Sequence, residues 1–261
     1  MHNDGFITTF RASDGNTVKL EHHASLPSTA ALAKEYARLG YPDRYAIVTE
    51  KRIGLPTGTA KASDKDVEEG LFISCLLRPS MFPSQAGLLG PLAAVAFSTG
   101  LEEHTQKKIS VGWPKDIYCE GVRIGCCNLE GKLDSYNSYE YIIVSFYAKL
   151  SPKDFPPLLT DMVRQVFESE NLSIGTIIAK TILNRFFSIY KDLKNPSKYM
   201  DVYRNKFALT GKKIKYIADD SKISVRVLGV DKDTCALIVE DSKGEIINVS
   251  SPSSVIIPKK L

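Results

Sequence analysis

The chain has 261 residues, 43% of them hydrophobic and 25% charged, an ordinary globular composition that excludes collagen-like, low-complexity and disordered material. At this length folding buries roughly 70% of the unfolded surface or more, so neither a disulfide nor a metal is needed for stability. The net charge of +4, from 34 basic and 30 acidic residues, does not by itself argue for nucleic acid.

The five cysteines, Cys75, Cys119, Cys126, Cys127 and Cys235, are odd in number and irregularly spaced, with no CxxC. That usage fits a reducing compartment and predicts no metal site. The N-terminus lacks the apolar stretch of a secretory signal, and no apolar run reaches the ~20 residues that span a bilayer. The expectation is a soluble, cytoplasmic chain with no nucleic-acid or membrane partner.

Residues 5–23 read as two strands joined by a tight turn at Asp14-Gly15-Asn16. A helix follows, capped by Ser28 or Thr29, striped by Leu32, Ala33, Tyr36 and Ala37, and ended by Gly40 and Pro42. Residues 45–49 are β-rich. Residues 51–69 hold Gly54, Pro56, Gly58 and polar side chains without periodicity, the pattern of a mobile functional loop. Residues 71–77 are near-continuously apolar, as a buried strand is, and 85–103 read as a core helix. Strand pieces follow at 109–112, 117–118 and 122–124, with the strongest strand at 139–149. Residues 158–168 and 174–193 read as amphipathic helices. After Asn195-Pro196 only short β-rich runs remain, separated by turn signals, the pattern of a small barrel or sandwich.

Several local strings in this order resemble the biotin protein ligases, within the wider biotin/lipoate ligase family. Ser28-Thr29-Ala30 opens a helix where the family has Ser-Thr-Asn, and 47–50 with the following glycine-containing loop is similar to the strand before the family's arginine-rich loop. Gly112-Trp113-Pro114-Lys115-Asp116 resembles Lys-Trp-Pro-Asn-Asp, and 121–125 through Glu130 resembles the Gly-x-Lys…Glu string. The segment from Phe207 looks like the family's C-terminal SH3-like module, and no N-terminal segment is long enough for the helix-turn-helix of the repressor branch.

The resemblance implies an α+β fold: a mixed sheet with flanking helices, of the class II synthetase-like ligase type, over 1–200, then an SH3-like barrel over 206–261. It implies a reaction in which biotin and ATP, with Mg2+, give an adenylate that acylates a carrier lysine. The implied catalytic residues are Arg123 and Lys115, and the implied ligand-binding residues are Ser28, Thr29, Lys51, Arg52, Gly54, Trp113, Asp116 and Glu130. The implied partners are a small carboxylate, a biotin or lipoyl carrier domain, and a second copy of the chain.

The sequence departs from the family where charge is needed. The loop arginines are reduced to Lys51, Arg52 and Lys61; the lysine before Trp-Pro is Gly112; the later one is Arg123; the asparagine after Pro114 is Lys115. Phe146 and Tyr147 bring bulk where the family keeps bare backbone beside its ligand. Losing a single charged donor at such a site costs ~3–4 kcal/mol. Three readings stand: a divergent relative, without or altered in adenylation, that binds a small acid or a carrier or uses an already activated acyl donor; an active ligase in which Lys115 or Arg123 takes over the missing lysine's role; and a different enzyme on the same scaffold with another acid as substrate. Ser28, Thr29 and Asp116 keep structural readings beside these, as helix caps and as an acceptor for backbone N–H.

Overall fold

The computed structural model describes residues 5–54, 67–105, 107–149, 173–218, 221–258 and 260–261. Eight strands form one sheet: β1 (Phe6–Arg11), β2 (Thr17–His23), β3 (Tyr45–Ile53), β4 (Val67–Leu77), β5 (Ile109–Gly112), β6 (Asp116–Cys119), β7 (Val122–Leu133) and β8 (Tyr139–Ala148). Their order is β1-β2-β3-β4-β8-β7-β6-β5, antiparallel except for the parallel β2–β3 pair. The β1–β2 turn has Gly15 at φ +85°, a conformation glycine adopts without penalty.

Helix α1 (Thr29–Arg38) covers one face, packing Ala33 and Ala37 on Tyr45, Ile47, Leu76 and Ile143. Helices α2 (Leu89–Glu102) and α3 (Ile174–Tyr190) cover the other. The central strand β4 is thus buried on both sides from Gly70 to Leu77, a stretch that is apolar but for Ser74 rather than alternating. Helix α2 is buried nearly all round because the sheet, α3 and a further helix surround it. Gly100 lets α3 cross closely: a methyl group there would lie 2.8 Å from Ile182 Cγ1. Of the two amphipathic helices read from sequence, 174–193 corresponds to α3, while 158–168 lies outside the described residues.

A helix that sequence reading did not find, α4 (Ser197–Asn205), follows Pro196. It is only nine residues long, too short for periodicity to stand out from the turn signals around it. Its Tyr203 hydroxyl donates to the carbonyls of Gly112 (3.2 Å) and Pro114 (3.0 Å), holding the turn between β5 and β6.

The remaining strands, β9 (Lys213–Ala218), β10 (Ser221–Val230), β11 (Leu237–Glu240), β12 (Ile246–Val249) and β13 (Val255–Ile256), form an antiparallel sheet ordered β12-β11-β10-β9-β13. Among the described residues its ladder does not close, so the strand pairing alone does not establish the expected barrel. One apolar core runs from α2 and α3 through Trp113, Tyr199 and Tyr203 into Val225, Val227 and Leu237. The Trp113 indole donates to the Cys235 carbonyl at 2.6 Å, and the Leu261 amide donates to Gly121 O at 2.8 Å. No helix among the described residues is long and apolar enough to cross a membrane.

The junction gives a test. Trp113→Phe keeps the ring but leaves the Cys235 carbonyl unpaired, for a loss of about 1–3 kcal/mol. Trp113→Ala adds a cavity and should cost about 3–5 kcal/mol. Urea denaturation of both variants measures this, and equal midpoints for parent and variants would refute the junction's role.

Candidate functional site

The α1 face of the sheet carries a cleft of about 170 Å³, lined by Ser28, Thr29, Thr49, Arg52, Ser74, Asn128, Ser145 and Tyr147 among others. Ligand pockets for drug-sized molecules run from about 300 to 1,000 Å³, so this one suits a small acid or one end of a longer molecule. Its back wall is a chain of hydroxyls. Thr29 Oγ1 lies 2.8 Å from Ser74 Oγ, which lies 2.9 Å from Ser145 Oγ. Ser74 is 0% exposed. Each hydroxyl both donates and accepts, so the chain can turn a proton outward to an anion without burying charge. Ser28 caps α1, accepting from the Ala31 amide at 3.1 Å.

The pairing of β3 with β4 positions the cation at this cleft. It shifts between Thr49 and Lys51: Glu50 stands opposite both Gly70 and Leu71, so β4 carries the extra, bulged residue and Arg52 stands opposite Glu68. Thr49 and Arg52 both line the cleft although three positions apart, and Lys51 is exposed. The Glu50 carboxylate accepts from the Gly175 amide at 2.6 Å, at the N-terminus of α3, where the helix dipole favours an anion.

Arg52 is already engaged. It pairs with Glu68, and its guanidinium lies 5.2 Å from the Phe72 ring centroid and 5.9 Å from that of Tyr147. The Tyr147 hydroxyl donates to the same Glu68 carboxylate. Burial, with that hydrogen bond and the carboxylate's charge, pushes the Tyr147 phenol up to about 12. The expectation that both Phe146 and Tyr147 fill the ligand space is corrected by strand alternation: Tyr147 faces the cleft, stacked on Phe72, whereas the Phe146 ring packs against Phe97 and Phe186 on the opposite face.

Further along the same face the other expected residues form paired groups. Lys115 Nζ donates to Asn128 Oδ1 (2.9 Å), Asn128 Nδ2 donates to Glu130 Oε1 (3.3 Å), and Lys34 pairs with Glu130. Arg123 pairs with Asp116 at 2.8 Å, from β7 to β6. Burial holds the Asp116 carboxyl above its usual range although Arg123 and Lys115 pull it down. Burial also pushes up the Cys126 thiol, so it is not an activated nucleophile. A methyl group at Gly112 would lie 2.5 Å from Tyr118 Cε2. Tyr118 is fully buried and donates to Pro258 O at 3.1 Å, so no side chain fits at 112 while that ring stays in place.

Ser28, Thr29 and Arg52 thus meet in the cleft, with Lys115 and Glu130 joined to its rim through Asn128. Asp116 and Arg123 lie one strand pair farther on. Trp113 is buried in the core at the junction of the sheets, and Gly54 follows the end of β3. Residues 51–53 and 67–69 are strand rather than loop, and 55–66 lie outside the described residues. Sequence reading missed Ser74, Ser145, Asn128, Glu68 and Lys34. A signal existed for Ser74, a lone polar residue in the otherwise apolar run 70–77. Elsewhere on this face Glu21, 2% exposed, accepts from Tyr45 (2.7 Å) and Tyr36 (3.1 Å) and lies 2.9 Å from His23 Nε2. Among the described residues no three His, Cys, Asp or Glu side chains converge as metal ligands.

No family model matches the chain. It is 26% identical over 175 residues to the bifunctional ligase/repressor BirA of Bacillus subtilis, a match that takes in 66% of this chain and 54% of that protein, so the chain spans about half of the relative. Its fold is similar to the biotin protein ligase of Aquifex aeolicus in complex with biotin and ATP (TM-score 0.60, 16% identity, 91% of this chain and 97% of the other). It is equally similar to a biotin protein ligase-like protein of unknown function from Silicibacter sp. TM1040 (TM-score 0.61, 14% identity, 92% and 97%). By sequence and by fold the chain resembles the biotin protein ligases, and its mixed sheet with flanking helices is the α+β arrangement expected.

Two measurements follow. Ser74→Ala removes the middle hydroxyl and strands its neighbours, for an expected loss of about 1–3 kcal/mol in urea denaturation; an unchanged midpoint would contradict the chain. The second concerns Asp116, whose folded carboxyl sits above the ordinary 3.8. The folded chain then holds this proton more tightly than the unfolded chain does. The group favours folding below pH 3.8, and that contribution is lost as pH rises through its folded value. Asp116→Asn should therefore gain on the parent as pH rises from about 3.8 through the carboxyl's folded value. A stability difference independent of pH would count against it.

Proposed function

We propose that the chain is a divergent biotin ligase-like protein. It binds a small carboxylate or acyl group in the α1 cleft, and it lacks or alters the step that activates such an acid with ATP. The observation that carries this reading is the pairing of charge. Of the cations around the cleft, Arg52 is matched by Glu68, Lys34 by Glu130 and Arg123 by Asp116, while Lys115 is hydrogen-bonded to Asn128. A triphosphate would have to draw several of these away at once, and each carboxylate left behind would repel it. The residues described do not fit that group. A single carboxylate asks for less: Arg52, half-exposed, can exchange one carboxylate for another, and Thr29, Ser74 and Ser145 offer neutral donors behind it.

The position equivalent to the family's first lysine adds support. Gly112 is not simply a lost charge, because the buried Tyr118 ring occupies the space that a side chain would need. For Mg2+ the described residues offer no convergent set of three ligands, and nothing in this reading is routed through the ion. A biotin or lipoyl carrier domain remains the partner class consistent with the fold.

The second reading, an active ligase, draws its support from the shared fold with a ligase in complex with biotin and ATP. It requires Arg123 to leave Asp116, or Lys115 to leave Asn128, when nucleotide binds. Isotope exchange between pyrophosphate and ATP separates the two. The expected result is no biotin-dependent exchange at or above about 0.1 per second, against a median enzyme turnover near 10 per second. Exchange at that rate would establish the ligase. In a thermal-shift panel of biotin, lipoate and octanoate, a ligand at about 100 times its Kd adds about 2.7 kcal/mol. Glu68→Gln frees Arg52, so it should tighten binding of the acid that scores by about two- to five-fold, since an exposed pair is worth ~0.5–1 kcal/mol. Weaker binding in that variant would remove Arg52 from the site.

A further inference from the structure

The small C-terminal sheet buries one face and leaves the other uncovered. Ile214, Tyr216, Val225, Val227 and Val239 point inward. The ladder pairs fix what stands on the outer face. One row across the sheet reads Ile246, Glu240, Arg226, Lys213; the next reads Ser224, Lys215, Ile256; a third pairs Lys222 with Ile217. Lys213, Lys215, Lys222 and Arg226 are all exposed, and none forms an ion pair among the described residues. Ile246 is 56% and Ile256 44% exposed.

Two features of this face do nothing for the fold. Lys213 and Arg226 stand directly opposite each other, an arrangement of like charges that destabilises a sheet. Isoleucines at both ends of the cation rows face solvent, where burial would stabilise them. A solvated strand face has no use for either. An interface with a partner uses both, through charge complementarity and apolar contact.

We propose that this outer face is a docking surface for a protein segment whose carboxylates alternate with apolar side chains. Glu240 decides between partner classes. It stands in the row with Arg226 and Lys213, so the face is patterned rather than uniformly positive. A nucleic-acid backbone or an anionic lipid surface presents negative charge everywhere and would be repelled at that point. A protein can set a donor against Glu240 and carboxylates against the four cations. The face also lacks outward aromatic rings, since Tyr216 points into the core, so it offers no stacking platform for bases. This proposal rests on the small sheet alone and stands or falls separately from the cleft.

The test uses the full chain and three defined probes: a short labelled peptide alternating glutamate and leucine, a single-stranded DNA of equal charge, and phosphatidylserine vesicles. The peptide should bind more tightly than DNA or vesicles, more weakly as salt rises, and with NMR shifts centred on β9 and β10. The double variant Lys213→Ser/Lys215→Ser should weaken it by about ten-fold or more. Its Tm should hold or rise, because the Lys213–Arg226 repulsion is gone. The double variant Lys191→Ser/Lys194→Ser, the same charge change at two exposed positions outside the small sheet, should leave binding as it was. Tighter binding of DNA or vesicles, shifts that fall elsewhere, or equal weakening by Lys191→Ser/Lys194→Ser would each overturn the proposal. A lower Tm in the double variant would mean the cations serve the fold, and would overturn it too.

Discussion

The hydrogen bond from the Trp113 indole to the Cys235 carbonyl is the contact on which the two sheets depend. It sits inside a continuous apolar core, where an unpaired indole N–H or carbonyl would be penalised in full. Around it Tyr203 binds the carbonyls on either side of the same tryptophan, and Tyr118 reaches Pro258. These bonds fix the turn from β5 to β6, and the turn fixes where Lys115 and Asp116 stand. Trp113, expected from the sequence to bind a ligand, joins the sheets. The polar residues beside it inherit their positions from that junction.

Electrostatics on the α1 face follow from a second constraint. The sheet brings acids and bases together in nearly equal number, and each pair closes before any ligand arrives. Pairs such as Arg52–Glu68 contribute little to stability because both partners reach water. Their effect is on binding: an incoming anion meets a site whose potential is already compensated. Hydroxyls, which carry no net charge, are then the donors that remain available at no electrostatic penalty. The balance of charge therefore favours a small ligand with one negative end over one with several.

Much of the fold was legible in the sequence because its signals are local. Ser28 capping α1, the Asp14-Gly15-Asn16 turn and the near-continuous apolar run of β4 each reflect backbone or burial requirements that act over a few residues. The candidate site was legible only in part. Ser28, Thr29 and Arg52 fall in the cleft, but Ser74 and Ser145 come from strands that are distant in sequence, and only pairing makes them neighbours. Helix α4 escaped notice because nine residues span under three turns. The strand order of the small sheet likewise depends on which edges meet, a property no single segment carries.

The bulge in β4 opposite Glu50 has a consequence beyond local geometry. Side chains on a strand have two directions and nothing between, so register acts as a selector with discrete settings. In a regular ladder continued from Thr49 and Phe72, Arg52 would stand opposite Glu69 and Ile53 opposite Glu68. The extra residue shifts the pairing by one, and it sets Glu68 opposite the planar guanidinium that lies against Phe72 and Tyr147. One backbone irregularity thus chooses between two adjacent acidic residues. A chain that gained or lost it would change the chemistry of its cleft without changing a single side chain there.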